Sequence, residues 1–100
     1  MYYENGVIIK PNVVANGDEA TIMYNGLLSN SGADSVYLHV GYGSDWDNAQ
    51  YQKMERTGEG FETTIPIKSS EQLKLAFKDS AGNWDNNSGR NYAFEVQTRM

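Results

Sequence analysis

Two tryptophans set among Gly, Asp and Asn are the residues of this chain best suited to chemistry. Trp46 stands in Gly41-Tyr42-Gly43-Ser44-Asp45-Trp46-Asp47-Asn48, and Trp84 in Asp79-Ser80-Ala81-Gly82-Asn83-Trp84-Asp85-Asn86-Asn87-Ser88-Gly89. A core tryptophan normally takes an inward strand position with apolar neighbours, and neither of these does. An indole in a polar loop suits a ligand with one flat apolar face and a polar rim. A pyranose has that shape: its axial C–H bonds pack on a ring, while its hydroxyls need donors and acceptors around the edge. Asn offers both from one amide, and Asp accepts two hydroxyls. Rings beside an amide cluster are therefore a carbohydrate-binding composition. The same residues equally suit a structural role, with Trp84 plugging one end of a β-structure and Asp85, Asn86 and Asn87 closing turns.

What the chain lacks narrows the alternatives. It has no cysteine and one histidine, His39, which removes disulfides, thiolate nucleophiles, sulfur-ligated metals and multi-His sites. Eight basic residues against thirteen acidic ones leave a net charge of −5. That balance speaks against a nucleic-acid partner, whose phosphates reward clustered Lys and Arg, and against an anionic membrane surface. No apolar run reaches the ~18 residues of a membrane span, and no signal peptide is read at the start. Asp45, Asp47, Asn48, Asp79 and Asp85 are oxygen donors, but no segment has the Asp-x-[Asp/Asn]-x-[Asp/Asn]-Gly pattern of a calcium loop. No metal or cofactor is expected. Two of the carboxylates could in principle serve a glycosidase. None lies in an apolar setting that would raise its pKa, and no Ser-His-Asp spacing or phosphate-binding glycine loop is visible. The chain reads as non-enzymatic.

The elements that must position these loops are strands. Val36, Leu38 and Val40 alternate with Tyr37 and His39; Leu73, Leu75 and Phe77 alternate with Lys74, Ala76 and Lys78; and Tyr92, Phe94 and Val96 alternate with Ala93, Glu95 and Gln97. Period two over five or six residues marks a half-buried strand with one solvated face. Weaker strands are expected at 6–10, 19–24, 51–56 around Met54, and 61–67. Asn16-Gly17, Asn25-Gly26 and Gly58-Glu59-Gly60 supply turns, and Pro66 marks an edge strand or a strand end. No stretch of ten or more residues has helical amphipathicity. Ten Gly and twelve aromatics in 100 residues complete the pattern of one all-β domain. About seven antiparallel strands in an immunoglobulin-like β-sandwich are expected, with an open barrel as the alternative. The ordered core should span about 6–97, with residues 1–5 and 98–100 as loose ends.

The run from Ala76 to Tyr92, ending Gly82-Asn83-Trp84-Asp85-Asn86-Asn87-Ser88-Gly89-Arg90-Asn91-Tyr92, resembles the signature of starch-binding modules of carbohydrate-binding families 25 and 53. Upstream, Val36-Tyr37-Leu38-His39-Val40-Gly41-Tyr42-Gly43 with Trp46 resembles their strand bearing a histidine, glycines and a first tryptophan. Met54, Phe61, Ile65-Pro66 and the stretch Gly17–Leu28 fall where those modules carry their other strands. The likeness covers roughly residues 6–97. It implies a sandwich that binds α-1,4-linked glucose of starch or glycogen, with His39, Trp46 and Trp84 as a stacking platform and Asn86 and Asn87 as hydroxyl partners. Two features depart from the pattern: Val40 stands where many relatives carry an aromatic residue, and the loop around Trp46 is short.

Beside the resemblance, the residues keep their own weights. His39 faces away from its apolar neighbours, and a neutral imidazole both stacks and donates one N–H. Asp85 is expected to close an Asx-turn rather than hold a sugar. Tyr42 is equally suited to reach a ligand or to fill its turn. Asn86-Asn87-Ser88 has the form of an N-glycosylation sequon; a glycan there would cover the loop, which argues against a eukaryotic secretory origin. The expected partner is an α-glucan, with a glycoside hydrolase or synthase on the same or another chain, and the expected state is a monomer. Localisation follows from context: extracellular for a module cut from a secreted amylase, cytoplasmic for a complete protein, which Met1 permits. The competing class is a structural or protein-interaction sandwich with no sugar ligand.

Overall fold

The computed structural model describes residues 2–4, 6–11, 14–58, 60–87 and 89–97, except the side chains of 2–4, 47 and 48. Among the described residues there are twelve short strands: β1 (Tyr2–Glu4), β2 (Val7–Lys10), β3 (Val14–Ala15), β4 (Glu19–Tyr24), β5 (Val36–Tyr42), β6 (Asp47–Lys53), β7 (Glu55–Thr57), β8 (Gly60–Pro66), β9 (Leu73–Asp79), β10 (Trp84–Asp85), β11 (Tyr92–Phe94) and β12 (Val96–Gln97). A single helical turn, α1 (Leu27–Asn30), follows β4. One antiparallel sheet has the order β1-β2-β4-β8-β7. The other has the order β10-β9-β5-β6, with β11 also on β9, and β3 and β12 form a short parallel pair.

Alternation builds the core between these sheets. Val7 and Ile9, Ala20 and Ile22, Phe61 and Ile65 face inward from one side. Val36, Leu38, Val40, Leu73, Leu75 and Phe77 meet them from the other, each 0–1% exposed. Tyr24 stacks on Phe77 at 4.1 Å between ring centres, and Phe77 meets Tyr92 edge-on at 5.6 Å. The order is that of an immunoglobulin-like sandwich. The first, second, fifth and fourth strands of the seven-strand frame (β2, β4, β8, β7) lie in one sheet, and the third, sixth and seventh (β5, β9, β11) in the other.

All seven expected strands exist, but two are divided. The 51–56 run leaves one sheet for the other at Met54, which is buried and donates its N–H to Val36 O at 2.9 Å. The 92–97 run breaks at Glu95, so that Val96 and Gln97 pair with Val14 and Ala15. Residues 2–4, expected as a loose end, instead pair with β2; residues 98–100 lie outside the described set. β8 ends at Pro66, where it pairs with β4 alone because β7 reaches only Gly60–Glu62, so this proline stands both at a strand end and on a local edge.

Candidate functional site

Antiparallel pairing sets residues side by side on the outward face of the second sheet. One row reads Lys53, Tyr37, Lys78 and Trp84 across β6, β5, β9 and β10; the next reads Tyr51, His39 and Ala76; the third has Gly41 and Lys74. Facing residues on neighbouring strands stand within side-chain reach. Three rings use that reach. His39 and Tyr51 stack at 5.1 Å between ring centres and 13° between planes. On its other side His39 meets Trp84 at 4.7 Å and 58°. Those two rings come from the strands flanking β9, so they meet above it, and Ala76 beneath them is only 4% exposed despite facing outward. Tyr51 and Trp84 are 72% and 46% exposed. The result is a solvent-facing aromatic row with one flat joint and one inclined joint.

Trp84 owes its place to Asp85. The final strand of the frame is interrupted: β10 pairs with Phe77–Lys78, residues 86–91 loop away, and β11 returns to pair with Leu73–Leu75. Strand alternation turns Trp84 out and Asp85 in. The buried Asp85 carboxylate accepts the hydroxyls of Tyr24 at 2.5 Å and Tyr92 at 2.8 Å, and the N–H of Asn87 at 3.3 Å. The last of these is the expected Asx-turn. Burial first, and then the hydrogen bond that the phenol donates to the Asp85 carboxylate, push Tyr24 well above its ordinary range.

Asn86 and Asn87 occupy that loop and shape it. Asn86 is exposed, and its Oδ1 accepts the N–H of Gly89 at 3.0 Å. Asn87 Nδ2 donates to Asn91 O at 3.2 Å. Asn87 and Asn91 have φ of 55° and 61°, the left-handed region that Asn tolerates better than other side chains. The Ser88 position of the sequon lies outside the described set.

Trp46 reaches the same outward face from the β5–β6 hairpin. It also has a positive φ, 53°, an outlier for a bulky residue that costs about 1–2 kcal/mol. Its half-buried indole lies over Gly41: a β-carbon on that glycine would come 2.6 Å from Trp46 Cδ2. Thus Gly41, like Ala76, is a floor beneath a ring. Of the expected residues, His39 and Trp84 are in ring contact, Trp46 shares their face over Gly41, and Asn86 and Asn87 lie in the loop that follows Trp84. Tyr42 belongs elsewhere. It is fully buried, donating to Pro66 O at 3.3 Å and accepting the N–H of Lys68 at 3.0 Å. Val40 is also inward, so an aromatic residue there would face the core. Sequence reasoning missed Tyr51, whose outward alternation on the 51–56 run was its available signal.

At the Lys78 end of the row a cleft of about 650 Å³ opens, lined by Tyr37, His39, Tyr51, Lys78 and the 79–82 turn. Lys78 Nζ stands 5.4 Å from the centre of the Trp84 ring, within cation–π range. Burial, and secondarily Lys78, lower the proton affinity of His39 below its ordinary value, so its ring is neutral at pH 7. Asp79 is tied into the turn: Oδ1 accepts the N–H groups of Ala81 and Asn83, and Oδ2 accepts Asn83 Nδ2. The Asn83 bonds hold its carboxyl below the usual range. Among the described residues no group of three or more His, Asp or Glu is placed to hold a metal ion, and no helix is long and apolar enough to cross a membrane.

A β-sandwich that sets exposed rings in a row on one sheet has the build of a polysaccharide-binding module. Residues 20–77 match the starch/carbohydrate-binding module family 53, and the chain belongs to that family. The matched span includes His39, Trp46 and Tyr51 and ends before Trp84. Three curated relatives are amylases. The chain is 35% identical over 85 residues to the beta/alpha-amylase of Paenibacillus polymyxa, covering 82% of this chain and 7% of that protein. It is 40% identical over 85 residues to an alpha-amylase of Clostridium acetobutylicum (83% and 11%). It is 37% identical over 83 residues to an alpha-amylase of Niallia circulans (78% and 6%). The chain therefore spans only a small part of the length of each. No solved structure gives a significant match.

Proposed function

We propose that this module binds α-1,4-glucan without acting on it, stacking consecutive glucose units on Trp84, His39, Tyr51 and Trp46. The observation that carries this reading is the row of ring contacts through His39, parallel to Tyr51 at 13° and inclined to Trp84 at 58°. A bent aromatic surface suits a chain whose successive sugars turn, and a flat cellulose chain suits coplanar rings. The strained φ of Trp46 supports a functional placement, since strain of this kind persists where a side chain must be presented. Asn86 and Asn87, in the loop just beyond Trp84 and Asp85, supply amide partners for sugar hydroxyls. The reading as a non-catalytic module is supported by the family and by the lack of carboxylates among the outward residues paired beside the rings. Its service is to hold on the polysaccharide a glycoside hydrolase or synthase, borne on the same chain or another. One face for a neutral ligand needs no second copy, so the module acts as a monomer.

The test is retention on insoluble amylose against cellulose. The module should stay on amylose and wash through cellulose, equally at ~50 mM and ~500 mM salt, because a neutral ligand releases no counterions. Passage through both columns would leave the sandwich a protein-interaction or structural module.

A further inference from the structure

The two outward faces of the sandwich differ in charge. Lys53, Lys74 and Lys78, three of the chain's eight basic residues, all take outward positions on the ring-bearing sheet. The positions paired with them there are Tyr37, Gly41, Trp84 and Ala93, with no Asp or Glu among them. On the opposite sheet the outward positions include Glu19, Glu55 and Glu62 against Lys10. A chain of net charge −5 thus gathers cations around its rings. Neutral glucose gives this little use, since amides meet hydroxyls without the desolvation an ammonium group demands.

The cleft beyond His39 has a volume of about 650 Å³, within the ~300–1,000 Å³ typical of ligand sites. Lys78 lines it, and Lys53 stands across Tyr37 from Lys78 in register. Asp79 is the one carboxylate in its lining, and both of its oxygens are taken up by Ala81 and Asn83 within the turn. Ser80, beside it, is exposed. The cleft is continuous with the aromatic row, because His39 and Tyr51 belong to both. A sugar stacked on those rings therefore directs substituents into it.

We propose that this cleft receives a phosphate monoester carried on a sugar hydroxyl of the glucan, with Lys78 as its main counter-charge and Lys53 as a second. Such a group bears nearly two negative charges at pH 7 and three acceptor oxygens, and an ammonium group serves it as a compact point charge. The inference rests on the α-glucan reading of the same face and adds to it a preference among α-glucans.

The experiment compares a maltooligosaccharide bearing one phosphate monoester with its phosphatase-treated form. Titration calorimetry would follow both with the unaltered protein, Lys78→Gln and Lys78→Arg. The phosphorylated sugar should bind at least about fivefold tighter at ~20 mM salt and less than about twofold tighter at ~500 mM, as screening removes the ion pairs. The ratio should fall to about one in Lys78→Gln and return in Lys78→Arg, since only the charge is restored. Equal affinity for the two sugars in the unaltered protein overturns the proposal while leaving neutral glucan binding intact. A preference that survives in Lys78→Gln also overturns it, since the anion then sits elsewhere. If neither sugar binds, the α-glucan reading itself fails and this inference falls with it.

Discussion

Tyr24 and Asp85, sixty-one residues apart, join the two sheets through a 2.5 Å hydrogen bond directly behind the strand that presents Trp84. The phenol oxygen also accepts the N–H of Leu28 at 3.0 Å, which ties in the helical turn. Replacing Tyr24 by Phe removes a donor from a buried carboxylate and an acceptor from a buried N–H. The expected loss is about 1–3 kcal/mol, read from denaturant unfolding. Asp85→Asn should also destabilise, and the double variant should lose less than the sum of the two. Strict additivity would mean that the two residues act independently.

Trp84 and Leu75 should separate site from core. Trp84→Ala should cost amylose binding ~2 kcal/mol, about thirtyfold, and stability at most about 1 kcal/mol. Leu75, fully buried between the sheets, should lose about 2–5 kcal/mol of stability on truncation to Ala. Amylose retention and a thermal melt of each variant check both statements. A Trp84→Ala protein that melts as early as Leu75→Ala would show the indole to be core.

Tyr51 is the most exposed ring of the row. Tyr51→Ala should weaken amylose binding about five- to tenfold, near 1–1.4 kcal/mol, and Tyr51→Phe should leave it nearly unchanged because the stack survives. Both variants should melt within about 0.5 kcal/mol of the unaltered protein. Full retention by Tyr51→Ala would remove this tyrosine from the site.

Acid should weaken the fold through two identifiable groups. His39 binds its proton more weakly in the folded chain than the ordinary value of 6.5, through burial and then Lys78. The unfolded chain therefore takes up this proton first on acidification. Its contribution is fully present above pH 6.5 and is lost as pH falls through the folded value. Asp79 behaves likewise below the ordinary 3.8, because its bonds to Asn83 favour the ionised form. Thermal melts from pH 8 to 3 should show both declines, with the upper one absent in His39→Gln. A melting temperature that rises from pH 7 to 5 and does so only with His39 present would contradict the assignment.

Much of the frame was legible because inward and outward residues alternate. Tyr42 shows both the strength of that signal and how it is masked. It continues the inward series Val36, Leu38 and Val40, yet its flanking glycines give it the look of a turn residue. The structure follows the alternation. Strands of two residues, such as Trp84–Asp85, carry no period at all, so β10 was visible only as a polar loop. Tyr51 was hidden for a different reason. An outward tyrosine beside glutamines and a lysine has the pattern of a solvated face, and only the pairing of β6 with β5 brings it against His39. The division at Met54 was equally non-local: Met54 N–H bonds to Val36 O, a contact no window of neighbouring residues contains.

Gly41 and Ala76 act as shims. Gly41 lies under the Trp46 indole, and Ala76 is paired with His39 on the strand between those of His39 and Trp84, two residues of minimal volume on the ring-bearing face. Adding one methyl group at Gly41 would drive a carbon into the indole and force it to shift, with no change in any ring residue. The curvature of this aromatic face is therefore adjustable from underneath. A lineage could reshape this face at these two positions while keeping every aromatic residue.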